Sequence, residues 1–334
     1  MTAQKIIIDA DPGIGGALAL VFAMAHPGLD LVGICSSYGH VLAPTALRNT
    51  VYLCSLAGHR VPVAEGVNSP LKKAPMRPDP DLEGEDGLGN IPERQRMTYP
   101  PESQSAARFM ADQADAHPGE ITLVTLGPLT NLCLAHRQEP LLHEKLKRVV
   151  VLGGSIAKAG NMSPVAESNM WHDPHAADTI LTSPFPITLL GLDVTEQMVL
   201  RMDHMRDIAQ HHRSPNRLMD TLLHAAQFAA GYYAEQDFNM AMDEAFMAHE
   251  IMALIYVLHP DWFTLEAGRV RVALDGVAEG MTIMDRLEHR AFPQPGWEER
   301  IPKIHAAMSV QANRCVDLFV RTLKSAQWPS SAHI

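Results

Sequence analysis

The sequence predicts an α/β fold, an open and mostly parallel central sheet flanked by helices, in a single domain spanning 1–327 with 328–334 as a flexible tail. Three observations predict it. Near-continuous apolar runs of strand length alternate with longer segments of helical periodicity. The runs are apolar at successive positions, as expected of parallel strands covered on both faces. Finally, the polar and glycine-rich groups "DADPG", "SSYGH", "TLGPLTN", "VLGGS" and "GLDVT" all fall at strand ends. In such a sheet the carboxyl edge is where ligands bind, so these groups converge on one cleft.

Taken in order, "KIIID" is a strand and "GALALVFAMAH" the helix after it. "LDLVGICSSYG" is the next strand, followed by the helix "APTALRNTVYLCSLAG" with its glycine stop. "VPVAEG" and "ITLVTLG" are strands, then "PLTNLCLAHRQ" a helix, then "RVVVLGG" and "ITLLGLDVT" strands. The segment 68–103 breaks this rhythm with prolines, glycines and charges, and its "EGEDGLGN" marks it as a loop beside the active site. The second half is richer in helix, notably "RLMDTLLHAAQFAAGYYAEQ" and "AFMAHEIMALIYVLH".

Composition narrows the partners. The 334 residues are 46% hydrophobic and carry a formal net charge of −11, which argues against nucleic acid or an anionic membrane surface. No apolar run approaches the ~20 residues of a membrane span. Cys35, Cys54, Cys133 and Cys315 lie far apart in apolar stretches and read as buried, reduced thiols. With no secretory signal visible at the start, a cytoplasmic location is expected.

The stretch "KIIIDADPGIGGALAL" poses a choice between a phosphate loop and an acidic metal site. Counting from Gly13, the dinucleotide fingerprint fails at Leu18, and no Walker sequence follows. Asp9 and Asp11 would also face the anion. Two aspartates two apart on a strand share a face and repel unless a cation or donors compensate. The alternative is that both cap the following helix.

"DADPGIGGALAL" resembles the signature DTDPGxDDAxAL of the inosine-uridine-preferring nucleoside hydrolases. "SSYGHVLAPTALRNT", "VPVAEGVNSPL", "TLVTLGPLTNLCLA", "VVVLGGSIAKAGNMSPVAESNMWHDPHAAD", "GLDVTEQ" and "GMTIMD" extend the resemblance collinearly over most of the chain. It implies an open α/β fold that binds calcium, takes a small-molecule nucleoside and cleaves its N-glycosidic bond, as a homodimer or homotetramer. By the same resemblance Asp11 is metal ligand and general base, with Asp9 supporting it and the Leu126 carbonyl and Glu250 as further ligands. His249 is the candidate donor to the leaving base, and Asn161, Glu167 and Asn169 hold the ribose.

The same comparison exposes an edited site. Gly15 and Gly16 stand where the family carries an Asp-Asp pair, the first on the ribose 2′-hydroxyl and the second on the metal. His40 replaces an asparagine, Glu83 a loop histidine, and both are assigned to substrate binding; Glu250 replaces an aspartate. A weakened calcium site follows, and Gly15 is expected to leave space beside the 2′-position, relaxing discrimination against 2′-altered sugars. A non-catalytic nucleoside- or sugar-binding protein on the same scaffold, or a hydrolase of 2′-altered nucleosides, are the competing readings.

Overall fold

The computed structural model describes residues 2–92, 97–212, 215–287, 292, 296–298 and 300–329. Among the described residues eleven strands form in chain order: β1 Gln4–Ala10, β2 Leu29–Ser36, β3 Val63–Ala64, β4 Thr122–Thr125, β5 Arg148–Leu152, β6 Ile187–Leu190, β7 Val199–Arg201, β8 Ala245–Met247, β9 Phe263–Val272, β10 Thr282–Asp285 and β11 Ile304–Val310. Nine of them make one sheet in the order β10-β9-β11-β6-β5-β4-β1-β2-β3. Pairing is parallel from β11 through β3, while β9 runs antiparallel to β11 and β10 to β9. The mostly parallel sheet is thus as expected, with a two-strand antiparallel extension at one edge. β7 and β8 pair separately.

Alternation along β1 divides the core. Ile6, Ile8 and Ala10 join the apolar layer that holds α1 (Ile14–Ala25), α2 (Ala43–Leu56) and the helices Arg217–Gln236, Ile251–Leu258 and Ala312–Ser325. Ile7 faces the other layer, built on the helices Ala106–Ala116, Thr130–Gln138 and Pro174–Leu181. All four cysteines are free and buried, Cys54 and Cys315 in the first layer, Cys35 and Cys133 in the second. Among the described residues no helix is long and apolar enough to cross a membrane.

Two elements differ from the expectation. β6 ends at Leu190, and "LDVT" winds into a single turn, Leu192–Thr195. Within it Asp193 accepts from the amides of Ile156 and Ala157, both at 2.8 Å, so its side chain closes the turn after β5 instead of extending a strand. "AFMAHEIM" begins as strand β8, and its helix starts only at Ile251, with Glu250 at the N-cap. At the C-terminus Trp328 packs against the first layer and Pro329 lies over Gly58, so this part of the segment read as a tail is in contact with the body. Residues 330–334 lie outside the described ones.

Candidate active site

The carboxyl ends of β1, β2, β4, β5 and β6 deliver Asp11, His40, Leu126, Gly153 and Leu192 to one edge of the sheet. Above that edge opens a cavity of about 640 Å³, lined by Gly15, His40, Glu83, Asn161, His249 and Glu250 among others. A smaller inner pocket adds Leu126, Glu167 and Asn169 and shares His40, Asn161, His249 and Glu250 with the larger one. Nine of the residues singled out in the sequence therefore meet around one cleft. Asp9 and Asp11 line neither space; both are buried at the end of β1.

Neither aspartate caps α1. Asp9 Oδ1 accepts from Asn131 Nδ2 at 2.8 Å, while its Oδ2 is buried with no hydrogen-bond partner. Asp11 Oδ2 accepts from the backbone amide of His40 at 2.7 Å. A Cβ at Gly39 would stand 1.9 Å from Asp11 Oδ2, and one at Gly127 would stand 2.7 Å from Oδ1. Side chains at those two positions would displace the carboxylate. The cap of α1 comes from elsewhere: Glu83 Oε2 accepts from the amide of Ile14 at 2.6 Å.

The ribose-holding candidates each bind backbone with one end. Asn161 Oδ1 accepts from the amide of Ser168 at 3.0 Å. Glu167 caps the short helix Ser168–His172, and its Oε2 accepts from the amides of Gly154 at 2.8 Å and Met170 at 3.2 Å. Asn169 Nδ2 donates to the carbonyls of Leu126 at 2.9 Å and Leu152 at 3.1 Å. Glu167 does cap a helix and Asn161 closes its loop onto Ser168, but Asn169 lies within the helix and forms no turn; these bonds fix the side chains at the pocket wall.

Gly15 corrects one expectation. Gly15 borders the cavity, but its Cβ direction is not open, because a Cβ there would fall 2.2 Å from Glu250 Oε2. The Glu250 carboxylate occupies the seat that a side chain at position 15 would need. At Gly16, by contrast, a Cβ would meet only Pro12 at 3.5 Å and the Asp11 carbonyl at 4.0 Å, ordinary contacts.

Burial dominates the electrostatics. It pushes Asp9 up to about 7, with Asn131 opposing, and raises Asp11 well above the carboxylate range, with Glu250 and Asp9 adding repulsion. It likewise raises Glu83 strongly and holds Glu167 and Glu250 at about 7. His40 and His249 are pushed down to about 4 by burial, the second imidazole adding to the effect at His40. His249 is therefore neutral at pH 7; its Nδ1 lies 3.1 Å from Thr195 Oγ1.

These shifts set a sign for stability. Acids raised in the folded state stabilise it when protonated, and that contribution is lost as pH rises through about 7. The lowered histidines work only below their ordinary 6.5, where acid charges the unfolded chain first. Between pH 6.5 and 8 the acids act alone, so the melting temperature of the chelator-treated protein should fall across that window. A flat or rising melting curve would show that the acids are compensated by groups other than those described.

A divalent cation is implied by the resemblance, and the donor set can be tested for it. Asp11 and Glu250 supply hard oxygens, and the Leu126 carbonyl keeps a second lone pair beside the one given to Asn169. The orphaned Asp9 Oδ2 and the unrelieved repulsion among the acids mark a place short of positive charge. Gly16 gives no donor, and among the described residues no three His, Cys, Asp or Glu side chains gather as a metal-holding group. The residues fit a cation held by two carboxylates, one carbonyl and water, but not a full protein cage.

Sequence reasoning missed several residues of the cleft. Asn131 was visible in "GPLTN" but gave no sign of reaching Asp9. Thr195, Met162, Tyr232 and Tyr233 also face the two spaces, and nothing in their local pattern marks them.

Comparison with known proteins agrees with this architecture. The family model described as inosine-uridine preferring nucleoside hydrolase matches residues 6–317. Uridine nucleosidase 1 of Arabidopsis thaliana is 35% identical over 289 residues, 85% of this chain and 82% of that protein. The pyrimidine-specific ribonucleoside hydrolase RihA of Salmonella enteritidis is 33% identical over 285 residues, 85% of this chain and 89% of its own. A solved plant nucleoside hydrolase, the PpNRh1 enzyme, superposes with a TM-score of 0.89 at 32% identity, covering 96% of this chain and 99% of that one. With the site at the carboxyl edge of this sheet and the match running nearly end to end, the chain belongs to the inosine-uridine preferring nucleoside hydrolase family.

Proposed function

We propose that the protein hydrolyses the N-glycosidic bond of a ribonucleoside, with Asp11 as the base that takes the proton of the attacking water. The observation that carries this is the Asp11 carboxylate, buried at the end of β1, packed against Gly39 and Gly127 and bonded to the amide of His40, which lines both spaces. A carboxylate so placed can act as a general base. Water attacks the anomeric carbon through an oxocarbenium-like sugar, the carbon–nitrogen bond breaks with its electron pair on the base nitrogen, and the departing base takes up a proton from solvent while Asp11 returns its own to solvent. Asn161, Glu167 and Asn169 suit a polyol and would fix the ribose in the inner pocket. His40 and Glu83 border the larger space, which has room for the base. His249, neutral at pH 7, would hydrogen-bond the leaving base; it does not carry a stored proton.

Calcium, by donor chemistry, is the cation we assign to Asp11, Glu250 and the Leu126 carbonyl. When bound it supplies positive charge that lowers the pKa of water beside it. With so few carboxylates, binding should be weak, and calorimetry giving sub-micromolar affinity would contradict this site. Because its ligands must lose protons, added calcium should raise the melting temperature more at pH 8 than at pH 6.5. Equal shifts at both would place the ion elsewhere.

The test of the function is turnover of a nucleoside panel, uridine first because of the named activities of the relatives, with and without chelator. Free base and ribose should appear in equal amounts; no turnover of any ribonucleoside would refute the proposal.

A further inference from the structure

We propose that Glu83 is a positioning residue that fixes one wall of the substrate cavity by capping α1 from the loop after β3. The proposal rests on the functional reading above only in taking this cavity as the substrate site. α1 has no cap of its own: its N-cap is Gly13, which makes no side-chain hydrogen bond, and its first turn holds no acid. The leading amides of a helix need acceptors, and a negative charge there is favourable. Glu83 supplies the acceptor from 69 positions away, its Oε2 accepting from Ile14 N at 2.6 Å. The seat is shaped for it, since a Cβ on Gly13 would come within 2.4 Å of the Glu83 carboxylate carbon.

The segment 79–91 that carries Glu83 is itself a folded block. Asp79 caps the short helix Pro80–Glu83. Asp86 accepts from the amides of Leu88, Asn90 and Ile91 at 2.8, 2.8 and 2.9 Å, and Asn90 Oδ1 accepts from Glu85 N at 2.8 Å. Gly89 N donates to the Glu83 carbonyl at 2.8 Å. A second tie reaches the same turn of the body: Asn49 Nδ2 donates to the carbonyls of Pro12 at 3.1 Å and Asp86 at 3.0 Å. Glu83 and Asn49 thus fasten the block to the β1–α1 turn, and its Asp79, Leu82 and Glu83 form cavity wall. Glu83 Oε1 stands 3.9 Å from His40 Nδ1, whose ring is held on its far side by Ser168 Oγ at 2.8 Å from Nε2. One carboxylate therefore sets the wall before any substrate arrives, while the ring beside it is held by Ser168.

Two variants remove the two ends of the same hydrogen bond. Glu83→Ala deletes the acceptor. Ile14→Pro deletes the donor at the first helical residue, where proline fits and the extended Gly13 before it (φ −85, ψ −155) suits it. Hydrogen exchange on the ligand-free, full-length protein should show the amides of Gly89 and Ile91 exchanging about 10-fold faster in each variant and no faster in the double. With uridine, Glu83→Ala should raise KM about 10-fold while kcat stays within about 3-fold. Unchanged exchange in Glu83→Ala, a double variant equal to the product of the singles, or a fall in kcat at constant KM would each overturn the positioning role. If the wild type turns over no nucleoside, the functional reading fails, and exchange alone still decides whether Glu83 holds the wall.

Discussion

Asp11→Ala should lower kcat for uridine by about 10²- to 10⁴-fold, the range lost with a general base, while the fold survives. The substitution also removes the acceptor for His40 N, so the β2 turn should loosen slightly. Adding Glu250→Ala should remove residual turnover and calcium binding together, because both carboxylates assigned to the ion are then gone. Circular dichroism and the melting temperature separate this outcome from unfolding. If Asp11→Ala kept full activity, the mechanism proposed for the family scaffold would not apply to this chain.

Gly15→Asp is the second large effect expected. Restoring the acid that the family signature carries should damage this protein, because the new side chain needs the place of Glu250 Oε2, 2.2 Å from its Cβ. Overpacking of this kind costs about 1–3 kcal/mol, and two carboxylates forced together add repulsion. The variant should lose thermal stability and at least about 10-fold in kcat/KM, a loss equivalent to ~1.4 kcal/mol. Combining it with Glu250→Ala opens the seat and should restore stability. The ratio of ribonucleoside to 2′-deoxynucleoside turnover in the double variant then reports whether position 15 faces the sugar. A fully stable, active Gly15→Asp, or a double variant no more thermally stable than the single, would show that the two positions do not compete.

The fold was legible because its signals are local. "KIIID", "RVVVL" and "ITLL" are apolar at consecutive positions and can only be covered strands, and the glycines and prolines after them mark where each chain turns at the sheet edge. The candidate residues were legible for the same reason, since strand ends in a parallel sheet share an edge. What could not be read were the pairings across long separations. Asn131 reaches Asp9 from 122 positions away, and Glu83 reaches Ile14 from 69. Gly15 looked like a loss in the signature and Gly13 like a plain match; each is a notch receiving a carboxylate from another segment. A missing side chain and a relocated one look alike in a single chain of letters, and only the third dimension separates them.

The four thiols give this protein a set of built-in clocks. Cys35 and Cys133 sit under one face of the sheet, Cys54 and Cys315 under the other, and burial raises the pKa of every one of them. A thiol reagent attacks the thiolate, so each cysteine stays silent until its own surroundings open. Mass spectrometry of site-resolved alkylation would then time the two layers separately. Equal rates at all four would mean that the sheet lets go of both layers in one event, and paired rates would mean that one layer can peel away while the other holds.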